Sequence, residues 1–195
     1  KILLSGQKGI GKSTMAYHFI NYVLTENEDF SYDLKNFEIN IKSGAFKTLI
    51  NHSNINLKIV DVKPDKKSID ISQIRDLIIN LNKSSFNSKP RFVLIDNIEL
   101  LNTNSVNALL KILEEPNDNI FFILIHNNKK VLTTLLSRCI NYKISLSNKR
   151  CSEVANNLLQ NNFENLVNKD IINYYSSPGE IYYLVKFANQ YKYDL

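Results

Sequence analysis

Residues 6–14 read GQKGIGKST, and this stretch decides the fold. It follows a short apolar segment, KILLS (1–5), and it runs into an amphipathic segment, KSTMAYHFINYVLT (12–25). The stretch satisfies the pattern G-x-x-x-x-G-K-[ST] in the order strand, loop, helix, which is the context that makes this pattern informative. Glycines in such a loop let backbone N–H groups turn towards an anion at the start of a helix. The stretch therefore predicts a phosphate-binding loop.

All nine residues of this loop are predicted to contact nucleotide phosphates: Gly6, Gln7, Lys8, Gly9, Ile10, Gly11, Lys12, Ser13 and Thr14. We expect Lys12 to reach the β- and γ-phosphates and the hydroxyl of Ser13 to coordinate Mg²⁺. ATP or ADP, with Mg²⁺, is therefore the expected cofactor. The loop alone does not indicate what the protein does with the nucleotide.

A second polar position follows the apolar run of RFVLID (91–96). Asp96 is the expected second contact to Mg²⁺, usually through water. The next residue is Asn97, at the position where many ATPases of this build carry a catalytic glutamate. An amide is far too weak a base to activate water, and general-base assistance typically contributes about 10²–10⁴-fold in rate. Slow hydrolysis at best is therefore expected, unless Glu99, two positions further on, takes the place of the missing base.

Short apolar runs alternate with amphipathic segments along residues 1–146, which is typical of a parallel sheet flanked by helices. Strands are predicted at 1–5, 57–62, 91–96, 120–125 and 140–146, and helices at 12–25, 70–82, 103–114 and 129–137. The run 120–125 is apolar on both faces and should be a central strand. Only helical patterns follow, at 148–160, 164–175 and 179–191. These patterns predict an α/β domain with a five-stranded sheet (1–146) and a small helical domain (147–195).

The composition favours a cytoplasmic protein that does not span a membrane. Hydrophobic residues make up 44% of the chain and charged residues 22%, as in ordinary globular proteins. No apolar run approaches the roughly 20 residues of a membrane helix, and no signal-peptide pattern is present. Cys139 and Cys151 are too few for a four-ligand zinc site, so reduced thiols and no zinc are expected. The net charge of +5 mildly favours polyanionic partners.

Three further segments occur in order after the loop: NALLKILEEP (107–116), FFILIHNNKKVLTTLLSRC (121–139) and SSPGEIYYL (176–184). Together with the loop, they resemble the bacterial DNA polymerase III clamp loader, a five-subunit AAA+ assembly. The resemblance covers nearly the whole chain and is strongest to the delta-prime subunits. It implies an AAA+ phosphate-loop domain followed by a helical lid.

The choice between delta-prime and the gamma/tau motor subunits depends on departures from the motor pattern. Asn97 stands where gamma/tau subunits carry a Walker B glutamate, and residues 176–184 lack the arginine of their sensor 2 region. The segment AFKTLINHSNINLKIVDV (45–62) also lacks the zinc-binding cysteines common in this family. The resemblance therefore implies a subunit whose own ATP hydrolysis is negligible.

The resemblance also assigns roles to residues outside the loop. Arg138 matches the arginine finger of the family, which acts in trans at the ATP site of a neighbouring subunit. His126 and Asn127 stand at the position of the sensor 1 polar group. At the start of the helix 103–114, Thr103, Asn104 and Ser105 match residues that follow the DNA backbone. Capping of this helix by Asn102 or Thr103 is the competing and simpler role.

The expected function is to help load the sliding clamp onto primed DNA during replication. The implied partners are the other clamp loader subunits (gamma/tau and delta), the sliding clamp and, through the assembly, primer-template DNA. The chain lacks an initiator methionine and ends before the collar domain of the family, so we expect a mostly monomeric fragment. Two alternatives remain open: an active gamma/tau-like ATPase, and a P-loop nucleoside or nucleotide kinase.

Overall fold

A computed structural model describes residues 1–83, 87–115, 117–127, 133–168 and 176–193. Its centre is a five-stranded sheet in the order β2-β3-β4-β1-β5, and every neighbouring pair is parallel. The strands are β1 (Ile2–Ser5), β2 (Leu57–Val60), β3 (Arg91–Ile95), β4 (Ile120–His126) and β5 (Ile140–Lys143). The predicted five-stranded parallel sheet is therefore confirmed.

The helices of the described residues are α1 (Lys12–Thr25), α2 (Gly44–Ile50), α3 (Ile71–Leu81), α4 (Thr103–Glu114), α5 (Thr133–Leu136), α6 (Asn148–Leu159) and α7 (Pro178–Tyr191). The sequence analysis missed α2. The prediction of a helix at 164–175 is wrong where it can be compared, because a 3-10 turn, Phe163–Asn165, ends before residues 166–168. Residues 169–175 of that prediction lie outside the described residues, as do residues 129–132 of the helix predicted at 129–137.

Two apolar clusters cover the two faces of the sheet. Phe122 and Leu124 of β4 pack with α3 and α4 on one face, whereas Ile123 and Ile125 pack with α1 and α2 on the other. All four side chains are at most 2% exposed. Burying a side chain of this size stabilises the fold by about 1.5–3 kcal/mol relative to leaving it in water. Strand β4 is therefore the central strand, as its two apolar faces predict.

The helices after β5 have a small cluster of their own. Ala155 of α6, Phe163 and Ile181 of α7 are buried together. Helix α7 begins with a capping box, in which the Ser177 hydroxyl accepts a hydrogen bond from the Glu180 backbone N–H and the Glu180 carboxylate accepts one from the Ser177 N–H. This reciprocal cap fixes where α7 begins, and that point lies against the phosphate loop. Within the described residues, no helix combines the length and apolarity needed to cross a membrane.

Candidate nucleotide-binding site

The parallel strands place their carboxyl ends at one edge of the sheet, where open α/β sheets bind ligands. The predicted phosphate loop leaves β1 at this edge and ends at the start of α1. Gly9 and Gly11 have φ angles of 81° and 93°, a conformation that other residues rarely adopt, and Gly11 is the N-cap of α1. The loop therefore has the backbone shape that its glycines predict, with the amino end of a 14-residue helix behind it.

Lys12 is held within this loop. Its side-chain ammonium group donates hydrogen bonds to the carbonyl oxygens of Gly6, at 2.7 Å, and Gln7. The residue is only 4% exposed. Burial lowers the pKa of the lysine, and the nearby carboxylates of Asp96 and Glu99 oppose that shift. A buried cation at the start of a helix suits an anionic ligand such as a phosphate.

The two predicted Mg²⁺ contacts lie next to each other. The hydroxyl of Ser13 donates a 2.6 Å hydrogen bond to Oδ2 of Asp96, which directly follows β3. A hydroxyl and a carboxylate are oxygen donors of the kind that Mg²⁺ prefers. The residues present therefore fit a nucleotide with its magnesium ion. The same hydrogen bond ties α1 to the end of β3.

A polar network joins the ends of three strands beside this pair. Asn97 donates through Nδ2 to Oδ1 of Asp61, after β2, at 2.8 Å. Asn127, after β4, donates through Nδ2 to Oδ1 of Asn97 at 2.9 Å and to Oε1 of Glu99 at 3.1 Å. Its backbone N–H donates to Oε2 of Glu99 at 3.4 Å. Both oxygens of the Glu99 carboxylate therefore accept hydrogen bonds from one residue, Asn127.

These side chains border a cleft of about 1090 Å³ that contains most of the phosphate loop. Asp96, Asn97 and Asn127 line the cleft, whereas Glu99 and His126 are not among its lining residues. His126 is 7% exposed, and its backbone carbonyl accepts a hydrogen bond from the N–H of Gly6. Of the two residues predicted at the sensor 1 position, the structure places Asn127 in the cleft. The sensor role itself stays a prediction for both.

Helix α7 closes one side of the cleft by touching the loop directly. The backbone N–H of Gly179 donates to the carbonyl oxygen of Gly9 at 3.0 Å. A Cβ atom on Gly9 would collide with the Ser177 hydroxyl, and a Cβ on Gly179 would lie 2.9 Å from Cα of Gly9. Only glycine at both positions permits this approach. The sequence analysis missed this contact, because Gly9 and Gly179 are far apart in the sequence and no local pattern joins them.

Apolar side chains form much of the rest of the cleft. They come from α1, from the segment before α2 and from α6: Met15, Phe19, Leu34, Phe37, Val154 and Leu158. Each is at least 38% exposed. The sequence analysis did not identify these residues. The signal available was the set of large apolar residues on the polar side of α1, where an amphipathic helix would otherwise be hydrophilic.

Arg138 lies outside this cleft, between α5 and β5. Its guanidinium group donates from Nε and Nη2 to one carboxylate oxygen of Glu114, at the end of α4, and from Nη1 to the carbonyl oxygen of Thr134 at 2.9 Å. The side chain of Arg138 is 32% exposed. The structure thus brings Arg138 together with Glu114, and not with the phosphate loop of its own chain.

The start of α4 is capped by Asn102, whose side-chain oxygen accepts a hydrogen bond from the N–H of Ser105 at 2.8 Å. Ser105 is fully buried, and its hydroxyl donates to the carbonyl oxygen of Ile69 at 2.9 Å. The prediction that Ser105 contacts DNA phosphates is therefore wrong, because its only hydroxyl is used inside the protein. Thr103 and Asn104 are exposed, and their contact with DNA stays a prediction.

Comparison with known proteins gives the family. A family model described as DNA polymerase III, delta subunit matches residues 1–148. DNA polymerase III subunit delta' of Buchnera aphidicola subsp. Baizongia pistaciae is 32% identical over 148 residues, which cover 71% of this chain and 42% of that protein. DNA polymerase III subunit gamma of Buchnera aphidicola subsp. Schizaphis graminum is 30% identical over 147 residues, covering 74% of this chain and 38% of that protein.

One solved structure supports the fold alone. A DNA polymerase III gamma subunit-related protein of Thermotoga maritima superposes with a TM-score of 0.50 at 19% sequence identity, over 85% of this chain and 47% of that one. This likeness agrees with the α/β fold that the sequence predicts. This chain spans less than half the length of each of these three proteins. The family match covers 148 of its 195 residues, including the phosphate loop, Asp96 and Arg138. The chain belongs to the DNA polymerase III delta-subunit family and is similar to delta-prime subunits.

Proposed function

We propose that this chain is the nucleotide-binding part of a subunit that helps place a ring-shaped sliding clamp onto primed DNA. One observation carries the proposal: Lys12, Ser13 and Asp96 are assembled for a phosphate and Mg²⁺, while the general-base position beside them holds Asn97. A site of this kind binds ATP or ADP but has no strong base at that position to activate water.

Nucleotide binding would replace contacts that the loop now makes with itself. The Lys12 ammonium group would exchange the carbonyl oxygens of Gly6 and Gln7 for the β- and γ-phosphates. Ser13 and Asp96 would hold Mg²⁺, directly or through water, and a bound Mg²⁺ would neutralise part of the phosphate charge. The exposed apolar side chains of the cleft would exclude water from the rest of the ligand.

Hydrolysis of ATP by this chain is proposed to be negligible. Without a general base the rate falls by about 10²–10⁴-fold. The position of Glu99 argues against its replacing that base, since both of its oxygens accept hydrogen bonds from Asn127 and it does not line the cleft. Restoring the acid by Asn97→Glu should therefore do little in the isolated chain, where no neighbouring subunit supplies an arginine.

Arg138 is proposed to act as an arginine finger at the ATP site of an adjacent subunit. Its position outside the cleft of its own chain supports this assignment. A guanidinium group in that role stabilises the charge that develops on the transferred phosphoryl group. In related phosphate chemistry such an arginine contributes about 10³–10⁵-fold in rate.

The partners belong to the same proposal. They are the gamma/tau and delta subunits, the sliding clamp and primer-template DNA, in the bacterial cytoplasm. The division into a phosphate-loop domain (1–146) and a helical lid (147–195) is also proposed. The small cluster shared by α6 and α7 supports a separate helical unit.

The test is the DNA- and clamp-stimulated ATPase of a reconstituted clamp loader that contains this subunit. We expect Arg138→Ala to lower the rate by a large factor, partly masked by the other sites, and Lys12→Ala to lower it less. Arg150→Ala is the matched control, because Arg150 is also ion-paired on the surface, with Glu153. If Lys12→Ala abolishes turnover while Arg138→Ala leaves it intact, the subunit is a motor and the proposal is wrong.

A further inference from the structure

In the polar network at the strand ends, the donor and the acceptor of each hydrogen bond are fixed. The network ends in two carboxylates, Asp61 and Glu99, which accept hydrogen bonds and do not donate them when ionised. Asn97 must therefore turn its NH₂ group to Asp61 and its oxygen to Asn127. Asn127 must in turn point its own NH₂ group at Asn97 and Glu99. The two acids leave no other arrangement of the amides that satisfies the network.

The hydrogen bonds of this network engage all the N–H donors of Asn127. A side-chain amide has two N–H donors, and those of Asn127 go to Oδ1 of Asn97 and Oε1 of Glu99. Its backbone N–H goes to Oε2 of Glu99. Asn127 nevertheless lines the cleft that Lys12 and Ser13 also line. A polar residue of the cleft therefore has its N–H donors already engaged.

We infer that Glu99 holds Asn127 away from the terminal phosphate, so that this site binds ADP and ATP with similar affinity. To donate to a γ-phosphate, Asn127 must give up a hydrogen bond to the Glu99 carboxylate. Both bonds have an ionised acceptor and are of similar strength, so the exchange gains little. This inference rests on the proposed nucleotide binding, and it makes Glu99 a positioning residue for the specificity of that site.

The experiment is isothermal titration calorimetry of the chain with Mg-ADP and with Mg-ATP. For the unchanged protein we expect dissociation constants within about threefold of each other. Glu99→Ala frees one side-chain N–H and the backbone N–H of Asn127. A new hydrogen bond to a charged phosphate should then strengthen ATP binding. The ratio of the ADP dissociation constant to the ATP dissociation constant should rise by about tenfold or more.

Two variants distinguish the effect of the lost hydrogen bonds to Glu99 from the effect of its lost negative charge. Glu99→Gln removes the same negative charge but keeps one of the two oxygens that accept from Asn127, so its ratio of dissociation constants should shift by less than that of Glu99→Ala. Asp61→Ala removes one negative charge at the other end of the network and leaves the donors of Asn127 engaged. It should not favour ATP. Thermal unfolding of each variant without nucleotide checks that it is folded.

The outcomes divide clearly. A shift in Glu99→Ala that is clearly smaller in Glu99→Gln and absent from Asp61→Ala supports the inference. An unchanged protein that binds ATP at least tenfold more tightly than ADP overturns it, and so does an equal shift in Glu99→Ala and Glu99→Gln, which would be an effect of charge alone. If the unchanged chain binds neither nucleotide, the proposed nucleotide binding fails, and this inference fails with it.

Discussion

The contact between Gly179 and Gly9 decides whether alanine at position 179 stabilises or destabilises the chain. Gly179 lies in the first turn of α7, where alanine would ordinarily favour the helix by up to about 1 kcal/mol. A Cβ atom at this position, however, would lie 2.9 Å from both Cα and the carbonyl oxygen of Gly9. These are backbone atoms of the phosphate loop, which cannot rotate away as a side chain does. The 3.0 Å hydrogen bond from the Gly179 N–H would be lengthened or lost as α7 moved.

We therefore expect Gly179→Ala to destabilise the chain. Forcing an extra carbon into a packed contact costs typically 1–3 kcal/mol, and subtracting the gain in helix propensity leaves a net loss of about 1 kcal/mol. Gly44→Ala is the matched control. Gly44 also lies in the first turn of a helix, but the nearest atom to a new Cβ there, Oε2 of Glu28, would be 3.9 Å away. This substitution should stabilise the chain by about 0.4–1 kcal/mol.

The assay is urea unfolding of the two variants and the unchanged chain, followed by circular dichroism. With a urea m-value near the upper end of 1–3 kcal/mol/M, a loss of 1 kcal/mol moves the midpoint by about 0.4 M. The two variants should move it in opposite directions. Affinity for Mg-ADP should also fall in Gly179→Ala, because the displaced atoms belong to the phosphate loop. If Gly179→Ala raises the midpoint as Gly44→Ala does, α7 is not packed against the loop and the reasoning is refuted.

Two further predictions concern Lys12 and Ser105. Lys12→Ala should abolish the binding of Mg-ADP measured by calorimetry. Lys47→Ala removes an equal charge from an exposed position of α2 and should leave this binding unchanged. Equal titrations for the two variants would contradict the assignment of the site to the loop. Ser105→Ala should cost about 1–3 kcal/mol of unfolding free energy, because the buried Ile69 carbonyl loses its 2.9 Å hydroxyl donor and keeps a longer hydrogen bond, 3.5 Å, from the N–H of Asn102. Thr103→Ala, on the exposed side of the same turn, should stay within about 0.5 kcal/mol, and a similar loss in both would contradict the buried role of Ser105.

Much of the fold could be predicted because its signals are local. The glycines of the phosphate loop and the amphipathic segment after it determine α1 to the residue. The two apolar faces of 120–125 are sufficient to place β4 in the middle of the sheet. Helix α2 was missed because a seven-residue helix that begins at Gly44 has too few turns to show a clear apolar period. Strand β5 ends at Lys143 and not at 146, and it lies at the exposed edge of the sheet, where an apolar pattern says little about length.

Only part of the candidate site could likewise be predicted from the sequence. Ser13 and Asp96 could be assigned from motifs that follow single strands, and their hydrogen bond agrees with the assignment. The network of Asp61, Asn97 and Asn127 with Glu99 could not, because it joins the ends of three strands whose relative positions depend on the register of the whole sheet. A one-residue change in register turns each side chain to the opposite face. No local pattern in the sequence carries that information.

An intact phosphate loop beside a missing base also has a structural explanation. Lys12 satisfies two carbonyl oxygens of the loop, and the bond from Ser13 to Asp96 joins α1 to β3. Gly9 receives the first turn of α7. Without a bound nucleotide, the loop thus connects the sheet with α1 and α7. Replacing Asn97 disturbs none of these three contacts, whereas replacing Lys12 leaves two loop carbonyls without their donor. The residues of hydrolysis can therefore change separately from the residues of binding, and a subunit that does not hydrolyse ATP still has a physical reason to keep its phosphate loop.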